Sequence, residues 1–97
     1  MALKIVWTPK AIEGLDEVLE YMEIHWTSKE IVLLEQKIEE FKSQVKRTPL
    51  LYPSTGVHKN VRKAILSKHN YIIYRINPDK MIIELIYFKA SKQKPEF

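Results

Sequence analysis

The spacing of apolar residues changes once along this chain, and that change limits the fold more than any other feature. In the first half, Ile12, Leu15, Val18, Leu19 and Met22 recur three or four residues apart, as do Ile31, Leu34, Ile38, Phe41 and Val45. Such steps place side chains on one stripe of an α-helix. Beyond residue 60 the pattern becomes short β-branched and aromatic runs, "VRKAIL", "NYIIYRI" and "MIIELIYF", separated by "SKH" and "NPDK". Those lengths and separators describe strands joined by turns. Helices first and strands afterwards predict an α+β domain with the helices segregated to one sheet face.

The boundaries follow from local chemistry. "LKIVW" (Leu3–Trp7) is a β-favouring run that stops at "TP". Thr8 suits a helix N-cap and Pro9 the first helical position, so a helix is expected from there to about Ile24. Thr27 and Glu30 have capping-box spacing, with Ser28 a competing cap. The second helix carries Lys46 and Arg47 in its last turn, where cations suit the dipole, and stops before Pro49. Two helices joined by so few residues form an antiparallel hairpin. The expected order is β-α-α-β-β-β, with the last three strands in an antiparallel meander.

Ninety-seven residues are enough for one domain, 1–97, and too few for two cores. There is no cysteine, which excludes disulfides and thiol chemistry. No apolar run nears the roughly 20 residues of a membrane helix, and the start lacks the pattern of a secretion signal. A cytoplasmic protein without membrane contact is expected. The net charge of +4 is unevenly spread. Residues 1–56 hold 7 Lys/Arg against 9 Asp/Glu (−2), whereas residues 57–97 hold 9 against 3 (+6). The second half therefore reads as a footprint for something anionic.

Placing the strands in register locates that footprint. With Lys68–His69 as a two-residue loop and Ile76 opposite Met81, Arg62 faces Arg75, Ala64 faces Ile73 and Leu66 faces Tyr71. One sheet face then carries Val61, Lys63, Ile65, Ile72, Tyr74, Ile76, Met81, Ile83, Leu85 and Tyr87, and is the core face. The other carries Arg62, Arg75 and Glu84 among Ala64, Ile73, Ile82, Ile86 and Phe88. Two opposed arginines repel unless an anion is shared between them. Alternatively, Glu84 pairs with Arg75 from a diagonal position and leaves Arg62 solvated. A one-residue slip would send each arginine to the opposite face. Lys63, Lys68, His69, Tyr71, Lys89 and Lys94 are the candidate anion- or partner-binding residues, the lysines after Phe88 being tethered close to the sheet. His25 and His58 join no carboxylate pattern, so no metal site is expected. No Gly-rich phosphate loop or Ser-His-Asp pattern is present, and no cofactor is implied.

Taken in order, "WTPKAIEGLDEVLEYM", "P…YP", "VRKAILSKHNYIIYRI" and "IIELIYF…KQKP" resemble the RelE/ParE superfamily of bacterial type II toxins, the plasmid-stabilisation toxins, over nearly the whole chain. The resemblance implies a small toxin neutralised by a cognate antitoxin protein. It implies one of two targets. ParE-like members bind and inhibit DNA gyrase, without a nuclease reaction. RelE-like members are ribosome-dependent mRNA endoribonucleases whose basic residues serve the phosphate chemistry. On the second reading the catalytic residues here would be Arg62, Arg75 and Lys92. Lys92 stands where nuclease members place an arginine, and no tyrosine follows Tyr87. Lysine keeps the charge without the planar fork, and phenylalanine at position 97 has no ionisable hydroxyl. The resemblance is therefore more ParE-like.

Overall fold

A computed structural model describes residues 3–56, 58 and 60–91. The elements are β1 (Lys4–Trp7), α1 (Pro9–His25), α2 (Ser28–Arg47), β2 (Val61–Ile65), β3 (Asn70–Asn77) and β4 (Ile82–Ala90). Both helix starts form as their capping residues dictate. Thr8 Oγ1 accepts the Ala11 N–H at 3.2 Å. At α2 the competition between Thr27 and Ser28 is settled for Thr27, whose N–H donates to Glu30 Oε1 at 2.9 Å. That bond and the Thr27 hydroxyl hold the Glu30 carboxyl below its ordinary pKa.

The sheet is mixed, in the order β1-β4-β3-β2. The last three strands form the expected antiparallel meander, and β1 joins them in parallel beside β4, with Lys4 opposite Ile82 and Trp7 opposite Leu85. Residues 53–55 run beside the outer edge of β2, where Lys63 N–H donates to Pro53 O and Thr55 N–H to Val61 O. This covers part of an edge that would otherwise be open to pairing.

Register is where sequence and structure part. The β2–β3 connection is a three-residue loop, Ser67–Lys68–His69, with Leu66 and Ser67 N–H groups donating to Asn70 O and Ser67 Oγ accepting from His69 N–H. Val61 therefore opposes Arg75, Arg62 opposes Tyr74 and Ile65 opposes Tyr71. One extra loop residue changes the parity of the pairing and turns the strand over. Ala64 is buried, while Ile65 is 66% exposed and Lys63 lies outside. The Arg62–Arg75 opposition does not exist.

Between β3 and β4 the loop keeps four residues but lies one position later, at 78–81, which moves the register by two, preserves parity and changes partners. Asn77 opposes Ile82, and Arg75 opposes Glu84 directly instead of diagonally. Met81 falls in this loop with φ 56°, 38% exposed, and is not a core strand residue. A bulge then breaks the β4 alternation. Tyr74 opposes Leu85 but Ile73 opposes Tyr87, so Ile86 is the extra residue. Beyond it Phe88, at 2% exposure, is core and Tyr87 is not, the reverse of strict alternation.

The core lies between the sheet and the helix pair, with Leu34, Ile38, Phe41 and Val45 of α2 meeting Ile72, Tyr74, Ile83 and Leu85. On α1 the buried positions are Ala11 and Met22, whereas Ile12 is exposed. The reason is how α1 approaches. β1 ends opposite Leu85, and α1 closes against β4 beyond that point, so near that a Cβ at Gly14 would overlap the carbonyl oxygen of Phe88. Helix and strand backbones meet here with no side chain between them.

Gly14→Ala should therefore lower stability although it raises helix propensity. Propensity favours alanine by about 1 kcal/mol, while forcing helix and strand apart costs roughly 1–3 kcal/mol or more. Thermal unfolding of the variant should show a clear fall in Tm; an unchanged or raised Tm would contradict the close approach.

Candidate functional site

The open face of the sheet carries the basic and aromatic side chains that the second half of the chain supplies. Tyr71 opposes Lys89 across β3–β4, and Lys63 Nζ sits 4.4 Å from the Tyr71 ring centroid. Lys89 Nζ lies 5.2 Å from the ring of Tyr87. Within such distances an ammonium is attracted to the face of the ring. Three of the expected residues, Lys63, Tyr71 and Lys89, are thus brought together on one face.

The two arginines are not. Arg75 remains on the open face, and Glu84 engages it there: Nε donates to Oε1 at 2.8 Å and Nη2 lies 2.7 Å from the same oxygen. An exposed pair of this kind contributes little to stability, but it screens the guanidinium from an incoming anion. Arg62 has turned to the side of Tyr74. Its Nη1 donates to Tyr52 O at 2.7 Å, and its Nε is buried without a partner. An arginine so committed ties the segment after α2 to the sheet.

That segment is also held by an aromatic cluster. Phe41, Tyr52 and Tyr74 have ring centroids 5.6–6.2 Å apart in tilted or edge-on contacts. Tyr74 is fully buried, and its hydroxyl donates to Pro49 O at 2.7 Å. Tyr52 donates to Gln44 Oε1 at 2.8 Å. Burial pushes the Tyr74 hydroxyl up to about 12, with Arg62 opposing the shift. An ionised phenolate is costly in that setting.

His69 is half-buried, its ring edge-on to Trp26 at 4.5 Å. It belongs to the end of the helix pair more than to the open face. Lys68, in the same loop, is exposed. Lys92 and Lys94 lie outside the described residues. Among the described residues no group of three His, Asp or Glu side chains converges as a metal site would require, and no helix is long and apolar enough to cross a membrane.

One feature of the site has no signal in local sequence. The residues of the turned-over β2 strand could be assigned to a face only by knowing the length of the 67–69 loop. No family model matches the chain, and no curated protein matches it either.

Tyr74 yields a test of the cluster. Below pH 10 the tyrosine is protonated in both folded and unfolded chains and adds no pH dependence. Between about pH 10 and 12 the unfolded chain loses the proton that the folded chain keeps, so stability should fall as pH rises. Tyr74→Phe should cost about 1 kcal/mol at neutral pH through the lost hydrogen bond and should flatten the alkaline fall. Denaturant unfolding of both proteins from pH 8 to 11.5 measures the difference; parallel curves would mean that the hydroxyl is not shielded.

Proposed function

We propose that this protein is the toxin component of a bacterial type II toxin–antitoxin system, of the ParE-like kind. It acts in the cytoplasm by binding DNA gyrase and is neutralised by a cognate antitoxin. The reading rests on the resemblance carried by "WTPKAIEGLDEVLEYM", "VRKAILSKHNYIIYRI" and "IIELIYF…KQKP", and the α+β arrangement of two helices on a four-stranded mixed sheet is compatible with it. The observation that favours binding over cleavage is the fate of the arginines. Cleavage by a ribose 2′-hydroxyl needs a base, an acid and free cations at the developing phosphate charge. Arg62 and Arg75 lie on opposite faces, one committed to Tyr52 and the other to Glu84. Lys63, Tyr71 and Lys89 offer charge and an aromatic surface, which suit binding.

The same three residues keep a second reading in view. A tyrosine accompanied by two lysines on an open sheet is also suited to unpaired nucleotides. On that reading the protein is a RelE-like, ribosome-dependent mRNA endoribonuclease.

Purified, antitoxin-free protein should abolish gyrase supercoiling while leaving mRNA on translating ribosomes intact. Mapping the mRNA ends beside a supercoiling assay decides between the two. Cuts in the ribosomal A site with normal supercoiling would replace the gyrase reading with the nuclease one, and Arg75→Ala would then test whether that arginine serves the phosphate.

A further inference from the structure

Between Glu40 and Asp79 the chain carries 8 Lys/Arg and no Asp or Glu. This stretch forms the end of α2, the segment that crosses to β2, and then β2 and β3. Within it the turn after α2 reads "TPLLYP", and Leu50 and Leu51 are 66% and 52% exposed. Turn positions usually fall to Gly, Pro, Asn, Asp or Ser, so two adjacent leucines left outside the core stand out. The exposed Ile65 of β2 extends the same apolar surface. Ser54 pairs with Arg62 in antiparallel sense and Lys63 N–H donates to Pro53 O, which carries the chain at Leu51 toward Ile65.

The turn is held firmly behind these leucines. The Tyr74 hydroxyl donates to Pro49 O at 2.7 Å on one side, and Arg62 Nη1 donates to Tyr52 O at 2.7 Å on the other. Across the turn Leu51 N–H donates to Thr48 O at 3.0 Å. Tyr52 itself packs inward on Phe41 and Tyr74. Leu50 and Leu51 are therefore presented to solvent on a fixed backbone. Exposed cations flank them: Lys46 and Arg47 in the last turn of α2, and Lys63 two residues before Ile65. An apolar tip inside a stretch of one charge sign suits a partner that is both apolar and anionic. Nucleic acid supplies the charge but no hydrocarbon phase for aliphatic side chains, whereas an anionic lipid surface supplies both.

We propose that this tip docks the protein on an anionic phospholipid surface. Leu50, Leu51 and Ile65 enter the boundary between headgroups and acyl chains, and Lys46, Arg47 and Lys63 meet the lipid phosphates. Apolar insertion and a basic patch are each weak anchors alone, and together they give stable but reversible attachment. No membrane contact was expected from the sequence because it lacks a spanning run, but that absence bears only on crossing the bilayer and not on lying against it. The inference goes beyond the toxin reading and does not rest on it, since the leucine tip lies apart from the Tyr71–Lys89 pair.

The test is flotation of the full chain with phosphatidylglycerol vesicles, beside vesicles of phosphatidylcholine. Binding to phosphatidylglycerol should be roughly tenfold tighter or more, and should weaken as salt is raised. The double variant Leu50→Ser/Leu51→Ser should bind those vesicles roughly tenfold more weakly or worse. Because the chain has no cysteine, Leu51→Cys accepts a single environment-sensitive fluorophore, with Glu20→Cys on α1 as the control position. Emission at position 51 should brighten and move to the blue on phosphatidylglycerol vesicles, and emission at position 20 should not change. No binding up to millimolar lipid would overturn the proposal. Binding with no response at position 51, or equal binding by the double variant, would overturn it too, by leaving only adhesion of charge. A response at position 51 to purified gyrase and none to vesicles would replace the lipid surface with a protein one. If the double variant does not fold, the labelled chains decide the matter alone.

Discussion

Much of the architecture hangs from one junction, where β1 gives way to α1 against β4. Thr8 N–H donates to Leu85 O at 3.2 Å, and its hydroxyl donates to the same carbonyl at 2.7 Å while accepting from Ala11. One threonine thus ends the parallel pairing, caps the helix and joins the chain's beginning to its last strand. The bulge at Ile86 lies immediately beyond, and the Thr8 hydroxyl also reaches Ile86 O at 3.3 Å. From there Gly14 lets α1 meet the Phe88 backbone directly. The bulge rotates Phe88 into the core beneath that contact, and α1 buries Ala11 and Met22 in place of Ile12.

The functional surfaces depend on similar small choices of parity. An odd change in the 67–69 loop moved Arg62 away from Arg75 and brought Lys63 out beside Tyr71. A one-position move of the four-residue loop to 78–81 shifted the register by two, which left Arg75 on its face but set Glu84 against it. Neither alteration moves a strand far. Together they replace a pair of repelling arginines with a salt bridge, an internal strap and a lysine–tyrosine cluster. The repulsion that an anion would have relieved is relieved within the protein.

Element type was legible because it rests on period and capping, which are local. The three- and four-residue spacing, Thr8 before Pro9, and Thr27 three residues before Glu30 mark both helices within a residue or two of where they form. The composition of 61–66, 70–76 and 81–88 marks the strands. The candidate site was legible only in part. Arg75, Tyr71 and Lys89 were placed correctly on the open face, but Arg62 and Lys63 were exchanged, and Phe88 and Tyr87 with them. Each error has one cause: face assignment in a strand depends on counting residues through loops and bulges, where a single residue inverts the answer.

The sequence by itself determined that this chain makes two capped amphipathic helices and a basic, aromatic-rich antiparallel meander, since periodicity, caps and turn residues act over a few positions. Only the tertiary structure decided that β1 lies parallel to β4, that Arg62 and Arg75 part, and that the bulge at Ile86 turns Phe88 into the core. Those outcomes depend on contacts between residues far apart in the chain, where backbone hydrogen bonding sets the register and close packing of α1 against Phe88 leaves room beside it.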